Sequence, residues 1–205
     1  MPDLSKTKNY KDIAGVQRDN VHGWHSKIGA VIHETVSPNY PGWGDIISVS
    51  QYLDNKDYGI HGIVDNEGHI GWAMGLGKAI FYHTSSTGTK GQGAANSNFV
   101  GIELVSSVPM LGSRAARIKA WAAMNPEINA AAKLLACLSR THGFPLSDNP
   151  GNTRLPGVTT HWEVSHYYNV PHGHWDCWPQ HRGGHFPKRL LIQRAKVYKA
   201  AGWHF

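Results

Sequence analysis

The segment Ile28-Gly29-Ala30-Val31-Ile32-His33 constrains this chain more than any other. It is an apolar run too short to cross a membrane, and it reads as a strand buried in a sheet. An imidazole closes it. Burying that group without a partner is costly, and more ligand-type side chains gather in Thr160-His161-Trp162 and His174-Trp175-Asp176. Two histidines and a carboxylate are the donor set of a catalytic zinc, which keeps a fourth position for water. A structural zinc closes all four positions, often with several cysteines, and this chain has only Cys137 and Cys177. Taken singly, His33 also reads as a buried histidine bonded to a carbonyl, His161 as a surface or capping residue, and Asp176 as a turn cap. The combination favours a metal.

Around this strand the pattern is mixed. A turn-rich loop, residues 37–44, leads to a helix over Ile46–Leu53. Ile60–Asp65 and His69–Trp72 flank Asn66-Glu67-Gly68 as a hairpin, and Ala79–His83 and Phe99–Val105 supply further strands. Between them Thr84–Asn98 is so poor in apolar residues that it reads as a surface loop. Helices follow over Arg114–Met124 and Pro126–His142, with Asn125 as N-cap, Pro126 at the first helical position and Gly143 closing, and then over Lys188–Ala201. The expected architecture is a single α/β domain, a central mixed β-sheet flanked by α-helices. Residues 1–26 form an N-terminal extension that drapes over a domain spanning 27–205.

Composition narrows the partners. Lys and Arg number 20 against 14 Asp and Glu, a net charge of +6, which favours polyanions such as nucleic acid, anionic lipid or wall polymers. The basic residues are scattered rather than blocked, which argues against nucleic acid. The polar start predicts synthesis in the cytoplasm without a signal peptide, and no apolar run is long enough for membrane insertion. The two cysteines form no CxxC pair or disulfide framework, and Cys137 reads as a small buried hydrophobe.

His33 ending its strand, Ile60-His61-Gly62-Ile63-Val64-Asp65 before a glycine turn, Tyr82-His83, Asn98-Phe99-Val100-Gly101-Ile102-Glu103-Leu104, Thr160-His161 and His174-Trp175-Asp176 resemble, in order, the zinc-dependent N-acetylmuramoyl-L-alanine amidases. This type-2 amidase family includes phage endolysins, bacterial amidases and peptidoglycan recognition proteins. The resemblance runs from about residue 27 to 200. It implies one Zn2+ ion held by His33, His161 and Asp176, with Glu103 as the group that accepts the proton of the attacking water. His174 would donate to the developing oxyanion. His83, Trp162 and Trp175 would meet the substrate or orient the site, while His61 is structural. His166, His172, His181 and His185 would line the rim of the cleft, and Trp43, Trp72 and Trp178 are further candidates for stacking.

The run Asp176-Cys177-Trp178-Pro179 departs from the family's usual Asp-Pro-Gly, so a shift of one would make Cys177 the ligand, and the segment Gln180–His185 is longer than usual. The implied activity is cleavage of the amide between N-acetylmuramic acid and L-alanine of bacterial peptidoglycan. The setting would be a monomeric phage or prophage endolysin that acts on the cell wall after release. Three other readings stand beside it: a non-catalytic peptidoglycan-binding module of the same fold, a cytosolic amidase recycling wall fragments, and a cysteine hydrolase built on Cys177.

Overall fold

A computed structural model describes residues 7–9, 21–36, 40–73, 78–84, 94–108, 111–170 and 176–203. The elements run β1 (Thr7–Asn9), β2 (Gly29–Val36), α1 (Gly44–Asn55), β3 (Gly62–Asp65), β4 (Ile70–Trp72), α2 (Ala94–Asn98), β5 (Phe99–Ser106), α3 (Arg114–Ala123), α4 (Asn125–His142), β6 (Gly157–Thr160), α5 (His161–Tyr167) and α6 (Lys188–Ala200). The strands form one mixed sheet in the order β1-β4-β3-β5-β2-β6. Among the described strands only the β3–β4 hairpin is antiparallel, and Gly68 at its turn has φ +82°. Strands β3, β5, β2 and β6 are mutually parallel. Their carboxyl ends therefore open on one edge, where ligand sites of α/β sheets form.

Strand alternation divides the core. Ala30, Ile32, Val100, Ile102 and Leu104 face a cluster that holds Leu134, Leu135 and Leu138 of α4 and Leu191 and Ala195 of α6. Ile63 and Val105 face Ile46 and Val49 of α1 on the opposite side, where Val31 and Phe99 meet Val164 of α5. A sheet covered on both faces explains why β2 and β5 are apolar without alternation.

Several details differ from the sequence reading. The run Ala79–His83 is not a ladder strand. Its backbone bonds to residues 22–25, with Trp24 and Ala79 forming an isolated bridge. The end of the expected loop at 84–98 is helical, and Asn96 within it is buried, its Oδ1 accepting from the backbone of His83 and Thr84 and from the Thr84 hydroxyl. Small polar residues look like loop in sequence, but here they satisfy a buried turn. Asn125 is already helical, because only Met124 separates α3 from α4, and its side chain accepts from Arg194 instead of capping. Gly143 closes α4 in the left-handed conformation, as expected. Residues 37–39 and 85–93 lie outside the described residues.

Two buried lysines yield measurable consequences. Lys188 has no solvent exposure, and its ammonium meets Asp148, Glu163 and the carbonyl of Asn149. Lys188→Met should cost about 3–5 kcal/mol in denaturant unfolding, because it removes the ammonium that lies against the buried Glu163 carboxylate, and Glu163→Leu in the same chain should recover part of that loss. Lys27 donates to the carbonyls of Asn96 and Ser97, and burial lowers its pKa to about 7. Above that value the folded chain holds Lys27 neutral while the unfolded chain stays protonated, so folding releases a proton, at a cost that shrinks as pH rises. The unfolded state then binds more protons, and stability rises with pH. Between pH 7.5 and 9.5, the stability of wild type relative to Lys27→Met should climb by about 1.4 kcal/mol per pH unit.

Candidate metal centre

The centre sits at the carboxyl edge of the parallel strands. His33 lies near the end of β2, the strand between β5 and β6. His161 is the first residue of α5, directly after β6. That abrupt strand-to-helix junction is fixed by a capping box: Glu163 donates its N–H to the Thr160 hydroxyl at 3.2 Å, and its carboxylate accepts the Thr160 N–H at 3.1 Å. Glu163 is held in turn by Lys188. Asp176 comes from the loop before α6, where its carbonyl accepts from Trp162 and its Oδ2 accepts the Glu34 N–H at 3.4 Å.

These three side chains converge. The Nδ1 atoms of His33 and His161 are 3.1 Å apart, and the Asp176 oxygens lie 3.6 Å from the first and 3.5 Å from the second. A tetrahedral zinc with bonds of about 2.0–2.1 Å sets its ligand atoms about 3.3 Å apart. The observed separations bracket that value, and all three residues are buried, so the donor set fits the ion in chemistry and in spacing. A second group, Asp148, Glu163 and His181, lies within similar distances, but the Lys188 ammonium already sits against both of its carboxylates.

The other ring nitrogen of His33 is also engaged. His33 Nε2 lies 3.1 Å from His83 Nδ1, and His83 Nε2 lies 3.4 Å from the carbonyl of Phe99. Burial and the adjacent His33 ring hold His83 well below the ordinary imidazole range, so it is neutral. One proton assignment suits the chain: Nε2–H of His33 donates to His83, Nε2–H of His83 donates to Phe99, and the Nδ1 lone pair of His33 faces His161 and Asp176, where a metal would sit. Gly101 makes room for this arrangement, since a Cβ there would approach the His83 ring to 2.8 Å. His61 is structural, accepting the Gly101 N–H on Nδ1 and donating from Nε2 to Ala79.

Glu103 of β5 stands in register with His33 of the neighbouring strand. It is buried, and burial first, then the carboxylates of Asp176 and Glu34, push its carboxyl well above the usual range. A carboxyl so placed can hold a proton near neutral pH and exchange it with a neighbouring water.

Cys177 has no exposure and belongs to the α4/α6 cluster with Phe186 and Leu191, and burial drives its thiol well above the ordinary value. A thiol kept protonated in an apolar core is poorly suited to act as a nucleophile, and it is Asp176, not Cys177, that groups with His33 and His161 at ligand spacing. His185 and His181 are not rim residues: His185 is buried against Glu34 at 3.0 Å, and His181 meets Asp148 at 3.2 Å. Trp162 stacks on exposed His166 and on Trp178, the latter with ring centroids 5.5 Å apart. Trp178 is the more open of the two indoles, at 39 % exposure. His172, His174 and Trp175 lie outside the described residues. No local cue in the sequence points to Glu34, whose contacts with His185 and Asp176 reach residues more than 140 positions away.

The sequence model of the N-acetylmuramoyl-L-alanine amidases matches residues 26–181. No curated protein matches by sequence. Among solved structures, the chain is similar to the Staphylococcus aureus hydrolase AmiA in complex with its ligand, at 19% identity over 87% of this chain and 77% of that one, with a TM-score of 0.56. It is similar to a mutant form of PlyL at 14% identity, over 93% and 96% of the two chains, TM-score 0.54. A third is the N-acetylmuramoyl-L-alanine amidase LysC from Clostridium intestinale URNW, at 12% identity over 86% and 93%, TM-score 0.51. At these identities the structures speak to a shared fold, while the sequence match spans most of the chain: this protein belongs to the N-acetylmuramoyl-L-alanine amidase family.

Proposed function

We propose that this protein hydrolyses bacterial peptidoglycan at the amide joining N-acetylmuramic acid to L-alanine of the stem peptide, using a single zinc ion held by His33, His161 and Asp176. The observation that carries this reading is the convergence of two imidazole nitrogens and a carboxylate at zinc-ligand spacing beside a buried glutamate. When bound, zinc would lower the pKa of a water and polarise the scissile carbonyl.

The chain's own residues do the rest. Glu103 takes the proton of the attacking water and delivers it to the departing alanine nitrogen, a role suited to a carboxyl whose proton affinity burial has raised. His83 fixes the ring plane and tautomer of His33. Of the two roles expected for His83, meeting substrate or orienting the site, these contacts favour the second. His174, on sequence alone, supplies a donor to the carbonyl oxygen as negative charge develops there. The Trp162–Trp178 stack, adjoining His161 on one side and Asp176 on the other, offers an apolar wall for glycan or peptide. The scattered positive charge favours approach to anionic walls, in keeping with an endolysin-like role after release from the cytoplasm.

The deciding experiment follows new L-alanine amino termini released from purified peptidoglycan. Release should vanish with a chelator, return with zinc, and fall by about 10²–10⁴-fold in Glu103→Ala with zinc still bound. Zinc binding without any release would leave a peptidoglycan-binding module instead, and release that survives chelation would remove the metal from the reaction. For His83→Phe, zinc affinity should fall about 10–100-fold while KM for wall fragments at saturating zinc stays near wild type. A raised KM with unchanged zinc affinity would return His83 to the substrate.

A further inference from the structure

Glu34 follows His33 in β2, so strand alternation sends its side chain to the opposite face of the sheet from the ligand imidazole. That side chain is fully buried, and its Oε2 lies 3.0 Å from Nε2 of His185, itself buried. The main-chain N–H of the same residue points to Asp176, donating to Oδ2 at 3.4 Å. Glu34 therefore holds both ends of the segment 176–185, one with its backbone and one with its carboxylate.

Between those ends the segment is stiff. Trp178 accepts from the N–H groups of His185 and Phe186, each at 2.9 Å, Gln180 donates to Phe186 at 2.8 Å, and Gly184 donates to Pro179 at 2.9 Å. The Gln180 side chain adds a bond to the His185 carbonyl at 2.9 Å. The turn closes so tightly at Gly184 that a Cβ there would lie 2.0 Å from the Trp178 carbonyl oxygen. A displacement of His185 is thus carried through the turn to Trp178 and to the neighbouring Asp176. His33 and His161 stand on a strand and on a capped helix, whereas Asp176 is the one member of the cluster on a loop.

We propose that Glu34 and His185 are positioning residues that anchor the 176–185 segment to β2 and so set Asp176 at ligand distance from His33 and His161. The pair touches none of the reacting groups. It acts through Asp176, by restricting where a loop-borne carboxylate can sit, and its contribution is to preorganise the cluster before a metal arrives. The inference rests on the reading of His33, His161 and Asp176 as a zinc centre.

The test measures zinc affinity of the full chain by competition with a chromophoric chelator, together with the visible absorption of the cobalt-substituted protein and the thermal midpoint of the metal-free form. Glu34→Ala and His185→Ala should each weaken zinc binding about 10–100-fold and alter the cobalt bands, and the double variant should be no worse than the weaker single, because both break one contact. Glu34→Gln retains an acceptor for His185 Nε2–H and should stay within about threefold of wild type. The apolar pair Glu34→Met with His185→Phe keeps the volume filled and should fold as well as wild type or better, yet bind zinc weakly, which separates positioning from stability.

Wild-type affinity and unaltered cobalt bands in the folded Met/Phe variant would overturn the proposal, as would a Glu34→Gln loss as deep as that of Glu34→Ala. If the wild type itself takes up neither zinc nor cobalt, the metal reading falls, a result distinct from failure of the anchor.

Discussion

Strands β2 and β5 run parallel in continuous register from the Gly29–Phe99 pair to Val36–Ser106, and the rest of the site hangs on that pairing. It sets His33 beside Glu103, one residue from each strand, at the edge where the parallel strands end. The same register sets Gly101 two residues before Glu103 on the same face, where its missing side chain admits the His83 ring against His33. A slip of one residue would turn His33 and Glu103 to the helical face and bring Ile32 and Ile102 into the cleft. The apolar residues between the polar ones are therefore part of the site, because burying them against α4 and α6 makes that slip prohibitive.

Two buried polar systems keep the histidines in place by different means. Around His161, a charged system holds the junction: the Thr160–Glu163 capping box starts α5 immediately after β6, and the unexposed Lys188 ammonium neutralises Glu163. Around His33 the system is a run of imidazole-to-imidazole-to-carbonyl contacts that ends at Phe99 on β5, with His83 held neutral by burial first. A neutral His83 would suit the proposed metal, since a charged imidazolium there would oppose a cation and lose the acceptor that His33 Nε2–H needs.

Much of this is legible in the sequence, for a physical reason. His33, Glu103 and His161 each end or directly follow an apolar or β-branched run, and a polar residue in that position is conspicuous because its burial demands a partner. The mixed sheet, its hairpin and the long helices follow from periodicity and glycine placement. What escapes are features whose partners are remote or whose residues are small. Nothing local in Gly-His-Phe announces that His185 meets Glu34, 151 residues earlier. Thr7–Asn9, polar and short, becomes an edge strand only because β4 offers it a parallel partner. Gly157–Thr160 is too short to stand out as a strand in sequence, and becomes one through its parallel register with Gly29–Ile32. Asn96 reads as loop because its hydrogen-bonding partners are recruited from residues 83 and 84.

The choice between Asp176 and Cys177 shows how alternation decides chemistry. The two neighbours have opposite surroundings: Asp176 faces two imidazoles and the Glu34 N–H, while Cys177 is sealed among apolar residues and close to the carboxylates of Glu34, Asp176, Glu103 and Glu127. Burial is the larger obstacle to a thiolate there, and those negative charges add to it. To exchange the two roles the loop would have to rotate by one residue, moving a carboxylate into the α4/α6 core without a partner and carrying the contacts of Trp178 with His185 and Phe186 out of register. The cost of burying an unpaired carboxylate exceeds any gain from the softer sulfur ligand. Which of the two side chains faces the imidazoles is therefore fixed by the packing of its neighbour, and that neighbour is apolar because it closes the core beneath the site.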